Sequence, residues 1–272
     1  MLQPTHQLTN SEYHLHPALS RSGLALVAQS PLHYWHRYLS GAYVQPVPAP
    51  ALRFGTAVHA AVLEPLTFTE LYTEAPSLSR TTKAGKEAWA AAAESGKELL
   101  TTDELAQISA ICTALDRHPA ASQALSVSGL NEATYITTDP GTGIGIKCRP
   151  DRITESGWLV DLKTTRDASA PAFAKSVANF GYHVQAAFYM HCLDILGERP
   201  KGFVIVAVEK EPPHAVQVFR ISASAIQHGT REMFRLLGTL NDCLQTYSAS
   251  EPWPAYSPEV VDLDLPPWAV KD

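Results

Sequence analysis

No continuous apolar run in the 272-residue chain is long enough to cross a bilayer, so the sequence leads us to expect no membrane partner. The opening residues, Met-Leu-Gln-Pro-Thr-His, lack the basic and apolar regions of a leader peptide. Cysteine is scarce and scattered. Cys112, Cys148, Cys192 and Cys243 form no Cys-x-x-Cys pair, which excludes a zinc ribbon or a disulfide framework and suits reduced, mostly buried thiols in a cytoplasmic protein. Positive charge is not in excess either. A net charge of −6 argues against a body coated in nucleic acid, though a local basic groove can sit on an acidic protein. No internal repeat is present.

What is there divides into two styles of sequence. Residues 20–39 read as a helix or helix pair broken at Ser30-Pro31, with His33, Tyr34, Trp35 and Tyr38 packing on the body. A Pro-rich linker covers 44–51. Helices follow at about 54–65, stopped by Pro65, and at 83–96 and 102–126. The pattern then changes to strands at 131–138, 143–149 and 158–164. Next come Pro171 in the first turn of a helix, a helix at 180–196 ending at Gly197, strands at 202–208 and 214–221, and a helix over 222–247. A Pro-rich acidic tail carries Trp253, Tyr256 and Trp268 as anchors. We therefore expect one domain over 1–272, with a mainly helical part (1–126), an α/β core with a central sheet (127–250) and the tail (251–272).

The most informative stretch is Arg149-Pro-Asp-Arg-Ile-Thr-Glu-Ser-Gly-Trp-Leu-Val-Asp-Leu-Lys163. Glu155-Ser156-Gly157 has the composition of a three-residue hairpin turn with glycine at the left-handed position. If Thr154 faces Trp158, then Asp151 faces Asp161, with Cβ atoms roughly 4.5–5.5 Å apart. Two carboxylates held that close repel each other, and a divalent cation relieves the conflict. Alternation puts Lys163 on the side of Asp161, while Leu162 points into the core with its carbonyl free to turn toward the metal. Such a set can hold a cation and cut a phosphodiester. A solvated amphipathic hairpin has the same alternation, and spacing alone leaves both open.

Other residues are candidates for the same place. His59 lies on a helix lined with small residues that can approach a sheet closely, where it would reach a metal or serve as a hydrogen-bonded helix histidine. Glu132 is an outer carboxylate, holding a water or a second metal, or a solvent-facing strand end. Gln185 and Tyr189, four apart on one helix, share a face beside the stripe of Val184, Phe188 and Ile195. They line the site or form a polar helix edge. Of the basic groups, Arg80, Lys83 and Lys86 stand apart, whereas Lys147, Arg149 and Arg152, and Lys163 and Arg166, flank the carboxylates and are the better phosphate contacts.

Together, His59 with Leu-Glu-Pro, Glu132, Arg-Pro-Asp151, Asp161-Leu-Lys163 and Gln185-x-x-x-Tyr189 resemble the PD-(D/E)xK nucleases. More narrowly they resemble the exonuclease VIII (RecE) C-terminal nuclease, a relative of lambda exonuclease, from about residue 18 to the Trp253-Pro-Ala-Tyr tail. The resemblance implies a restriction-endonuclease-like α/β core, with a central mixed sheet flanked by helices and preceded by a helical N-terminal region. It implies that Asp151 and Asp161, with His59 and the Leu162 carbonyl, bind Mg²⁺, with Mn²⁺ as a substitute. Lys163 would serve the attacking water and the scissile phosphate, Glu132 and Gln185 would assist, and Tyr189 would support them. Arg166, Ser22 and Ser30 would contact a 5′ phosphate. The implied activity is 5′-to-3′ degradation of one strand of linear double-stranded DNA by a homo-oligomeric ring, working with a single-strand annealing protein. Aspartate at position 161, where many superfamily members carry glutamate, is a departure shared with this branch. The competing readings are a Cas4-like nuclease, whose clustered cysteines are missing here, an endonuclease, and a DNA-end-binding protein without catalysis.

Overall fold

A computed structural model describes residues 5–6, 8–46 and 49–265 of the chain. The N-terminal part runs through α1 (Asn10–Leu15), α2 (Arg21–Gln29), α3 (Pro31–Tyr38), α4 (Pro50–Leu63) and α5 (Pro65–Leu71). It continues with β1 (Tyr72–Glu74), α6 (Lys83–Glu94), β2 (Glu98–Leu100), α7 (Thr102–Arg117) and α8 (Pro119–Ser126). The second part contains β3 (Gly129–Asn131), β4 (Tyr135–Thr138), β5 (Gly145–Cys148), β6 (Arg152–Thr154) and β7 (Trp158–Thr165). It closes with α9 (Ala170–Asn179), α10 (Tyr182–Ile195), β8 (Gly202–Glu209), β9 (Val216–Arg220) and α11 (Ala223–Thr246).

The central sheet has five strands in the order β3-β6-β7-β8-β9; only the β7–β8 pair is parallel, so the sheet is mixed. Helices cover both of its faces. Leu159, Ile205 and Ala207 pack with Leu24 of α2, Phe188 of α10 and Leu237 of α11. Val160, Leu162, Val206 and Val208 pack instead with Ala57 and Val58 of α4 and with Ile111 and Leu115 of α7. Burial on both faces explains why β8 reads as an unbroken apolar run rather than an alternating one.

Prolines and serines set the helix boundaries. Ser30 ends α2 and caps α3, accepting from the His33 N–H, with Pro31 in the first turn. Pro65 separates α4 from α5, and Pro119 splits the expected 102–126 helix into α7 and α8, because proline lacks the N–H a continuous helix needs. Linker residues 47–48 and the expected anchor Trp268 lie outside the described residues. Trp253 is an anchor, 3% exposed and stacked on Tyr34; Tyr256 is 69% exposed and is not one.

One expected strand is corrected. Residues 131–138 do not form a continuous strand, because the backbone turns through a left-handed φ of 48° at Glu132. Before the turn, β3 pairs with β6; after it, β4 leaves the main sheet and pairs with β5 in a hairpin of its own. Glutamate rarely adopts such a φ, and strain of this kind concentrates at functional positions.

The second helix layer depends on a close approach. A Cβ at Gly229 of α11 would lie 2.2 Å from the His183 carbonyl oxygen on α10. Gly229→Val is therefore expected to push the two helices apart and to destabilise the fold by at least about 1–3 kcal/mol. A urea melt of the variant that overlays the wild type would contradict this packing.

Candidate active site

The register of the sheet aligns three carboxylates. The β3–β6 ladder pairs Asn131 with Arg152 and continues one step, as the Glu132 N–H donates to the Asp151 carbonyl at 3.1 Å. The β6–β7 ladder pairs Arg152 with Val160, which sets Asp151 opposite Asp161. Glu132, Asp151 and Asp161 thus fall in one transverse row across three neighbouring strands, where directly opposed side chains meet. The 154–158 turn has the expected form, with φ +85° at Gly157 and the Trp158 N–H donating to Thr154 Oγ1 at 2.9 Å.

Each helix layer adds to this row. From one side, α4 comes close to β7, with Gly55 against Thr164. This places His59 Nδ1 3.4 Å from Asp151 Oδ2. From the other side, Gln185 of α10 donates to Asp161 Oδ1 at 2.6 Å. His59, Glu132 and Asp151 each offer a ligand atom within 4.8 Å of the others, the geometry of a metal site. Asp161 is turned differently: its second oxygen faces the Lys163 ammonium, which is on the same side of β7. The fully buried Leu162 points the opposite way, and its N–H donates to Asp151 Oδ2 at 2.7 Å. Tyr189 is one turn beyond Gln185, where burial, with help from Tyr13, Asp161 and Asp151, keeps its hydroxyl protonated.

The electrostatics are those of a place short of positive charge. Burial, together with Asp151 and Glu64, pushes the Glu132 carboxyl up to about 8. Burial also raises Asp161, against the pull of Lys163, and Asp151 adds to the rise. Lys163 is held above its ordinary value because Asp161 and Asp151 outweigh its burial. Several carboxylates thus share one lysine and one histidine in partly buried surroundings. A divalent cation fits this donor set, since it would replace the proton that Glu132 otherwise retains.

The three candidate phosphate contacts differ in exposure. Arg166 and Ser22 are exposed, Ser22 Oγ being 2.9 Å from Ser20 Oγ. Ser30 is buried, and its hydroxyl is 2.6 Å from His33 Nδ1. Among the described residues, no hydrogen bond or ion pair links these three to the carboxylates. The reading of Lys147, Arg149 and Arg152 as phosphate contacts is corrected, because all three point inward. Lys147 donates to the carbonyls of Tyr13 and His16. Arg149 bonds Thr134 and the Leu8 carbonyl, and Arg152 bonds Asn131 and the Val127 carbonyl.

The structure adds two neighbours that the sequence reading did not single out, Tyr182 and Arg21, and gives a place to the glutamate of the Leu-Glu-Pro stretch. The Tyr182 ring centroid is 5.2 Å from Lys163 Nζ. Arg21 of α2 donates to the Phe180 carbonyl, and its charge, opposed by burial, is favoured by Tyr189, Tyr182 and Asp161. Glu64, at the junction of α4 and α5, adds to the field on Glu132. The signals for Arg21 and Tyr182 were faint: a serine-flanked arginine opening a helix and a tyrosine after a glycine.

A mixed sheet between two helix layers, with an acidic row across neighbouring strands and a lysine on its central strand, defines a PDDEXK-like protein. Over residues 20–260 the chain matches the family described as a PDDEXK-like domain of unknown function, DUF3799, and it belongs to that family. Among solved structures it is similar to a provisionally assigned exonuclease from Eubacterium rectale, with a TM-score of 0.58 and 16% identity over 92% of this chain and 97% of that one. At that identity the likeness concerns the fold. A second structure, of SSO0001, is 13% identical over 69% of this chain and 87% of that one, and its TM-score of 0.28 adds nothing to the argument. No curated protein matches the chain. Among the described residues, no helix is long and apolar enough to cross a membrane.

Proposed function

We propose that this PDDEXK-like protein is a metal-dependent exodeoxyribonuclease of the exonuclease VIII type. It degrades the 5′-ended strand of linear double-stranded DNA to mononucleotides and leaves 3′ overhangs. The observation that carries this reading is the convergence of His59, Glu132 and Asp151 beside the Asp161–Lys163 pair. The exonuclease assignment of the Eubacterium rectale protein with the same fold supports it.

In this reading His59, Glu132 and Asp151 hold the ion, with Asp161 and the Leu162 carbonyl completing its surroundings. A divalent ion there supplies Lewis-acid charge for the scissile phosphate and a more acidic water. Lys163 orients the attacking water and stabilises the negative charge that develops on the phosphate. Asp161 fixes Lys163, and Gln185 fixes Asp161, so the ammonium is preorganised before substrate arrives. Tyr189 closes the row from the α10 side. Mg²⁺ is the cofactor, and the imidazole of His59 makes Mn²⁺ an effective substitute. Arg166 and Ser22 remain phosphate contacts in this proposal, Ser30 acting only if its hydroxyl leaves His33. The protein acts as a ring of identical subunits on DNA ends and hands its overhang to a single-strand annealing protein.

The test uses linear duplex DNA, 5′-labelled on one strand and 3′-labelled on the other, beside a closed circle, with Mg²⁺, Mn²⁺ or EDTA. Metal-dependent loss of the 5′ label with an intact circle is expected. Cleavage of the circle would replace this reading with an endonuclease, and end binding without any cleavage would replace it with a non-catalytic one.

A further inference from the structure

Four aromatic rings run from the edge strand β9, through the buried Phe173, to the surface beside Lys163. Phe219 stacks on the buried Phe173 with centroids 4.9 Å apart and planes at 3°. Phe173 contacts Tyr182 at 6.1 Å, and Tyr182 stacks on Phe180 at 5.7 Å and 29°. One end, Phe219, is half-buried on the edge strand β9, and Phe173 beside it is buried; the other end, Phe180, is 59% exposed. A lone exposed phenylalanine is ordinary on a protein surface. This one is held from behind by a packed ladder, and its carbonyl is fixed by the Arg21 guanidinium. Phe180 also lines a cavity of about 590 Å³, with Arg21, Asn179, His183 and His228 on its walls. The third ring of the ladder, Tyr182, has the Lys163 ammonium 5.2 Å from its centroid.

An exposed aromatic face, a guanidinium and an amide next to a phosphodiester-cutting row match the parts of an unpaired nucleotide. The ring offers a stacking surface to any base, Arg21 offers positive charge to the backbone, and Asn179 offers hydrogen bonds to a base edge. A base inside a duplex has both faces covered by its neighbours and cannot use the platform. An unpaired base can.

We infer that Phe180, backed by Tyr182, is a stacking platform for an unpaired base of the strand bound at the active site. The inference rests on the nuclease reading above and names a residue that positions the strand at that site.

The test is binding of a short single-stranded oligodeoxynucleotide carrying 2-aminopurine at successive positions, with Ca²⁺ replacing Mg²⁺ to hold back cleavage. The wild-type protein is expected to quench the probe at one or two adjacent positions. Phe180→Ala should lose the quench and weaken binding roughly tenfold or more. Phe180→Trp should restore both, and the melting temperatures of all three should agree, since the side chain is mostly exposed. Equal binding by wild type and Phe180→Ala, or failure of tryptophan to restore it, would overturn the platform. Digestion of linear duplex by the same preparations separates the two ideas. Cleavage with unchanged Phe180→Ala binding rejects the platform alone. Quenching without cleavage rejects the nuclease alone, and the absence of both rejects the two together.

Discussion

Lys163→Ala is expected to abolish cleavage of linear DNA while leaving DNA binding in place, a loss of about 10²–10³-fold or more in rate. The ammonium is the one cation in the carboxylate row whose position is fixed from both sides, by Asp161 and by the Tyr182 ring. Its removal takes positive charge from where the phosphate accumulates negative charge and leaves the row's carboxylates unopposed. The fold should survive, though not unchanged. Asp161 is buried, and without Lys163 its neutral partner is Gln185, so its carboxyl takes up a proton. The stability cost of the variant therefore shrinks as pH falls, because protonation of Asp161 becomes easier. Single-turnover digestion with pH-dependent melts of both proteins would check this. A variant that degrades DNA at the wild-type rate would remove Lys163 from the mechanism.

Glu132→Gln should make the metal-free protein more stable at pH 8 and the metal-loaded protein less so. The Glu132 carboxyl is pushed up to about 8, by burial first and by Asp151 and Glu64 after it, from an ordinary value of 4.5. Between those two values the folded chain keeps the proton and the unfolded chain releases it. Stability attached to this group is thus complete below pH 4.5 and is lost as pH rises through 8, with a slope of at most about 1.4 kcal/mol per pH unit. Glutamine has no proton to lose, so in EDTA the difference in melting temperature should grow in the variant's favour from pH 5 to pH 8. Added Mn²⁺ should reverse the order, since the wild type keeps a charged ligand that the variant lacks. Parallel pH profiles of the two proteins in EDTA would show that Glu132 does not carry this charge conflict.

The sequence made the site's centre legible because a hairpin turn fixes register. Once Gly157 is assigned the left-handed position, the pairing of Thr154 with Trp158 and of Asp151 with Asp161 follows by counting. The long helices were also legible: α11 carries an apolar face along its length, and α10 is an apolar stretch stopped at Gly197. Glu132 itself was read as an outer carboxylate, but the turn at it was not legible, because a glutamate at positive φ has no signal of its own in composition, unlike a glycine. Charge was the most misleading cue. Lys147, Arg149 and Arg152 cluster in the sequence beside Asp151, but clustering says nothing of direction, and the fold spends all three on carbonyls, hydroxyls and an amide inside the protein. Arg21 and Tyr182 reach the site from distant segments that only packing brings together.

The turn at Glu132 has an effect on how the site is dimensioned. Residues 133–150 make an excursion that departs at Glu132 and rejoins at Asp151, and the hydrogen bond between those two residues pinches it shut at the base. The gap between the two carboxylates is therefore metered by one rung of backbone ladder, whatever the length of the excursion. Lengthening a closed loop costs little, because its closure entropy grows only with the logarithm of its length. The hairpin's tip can vary in length and composition while the carboxylates keep their spacing.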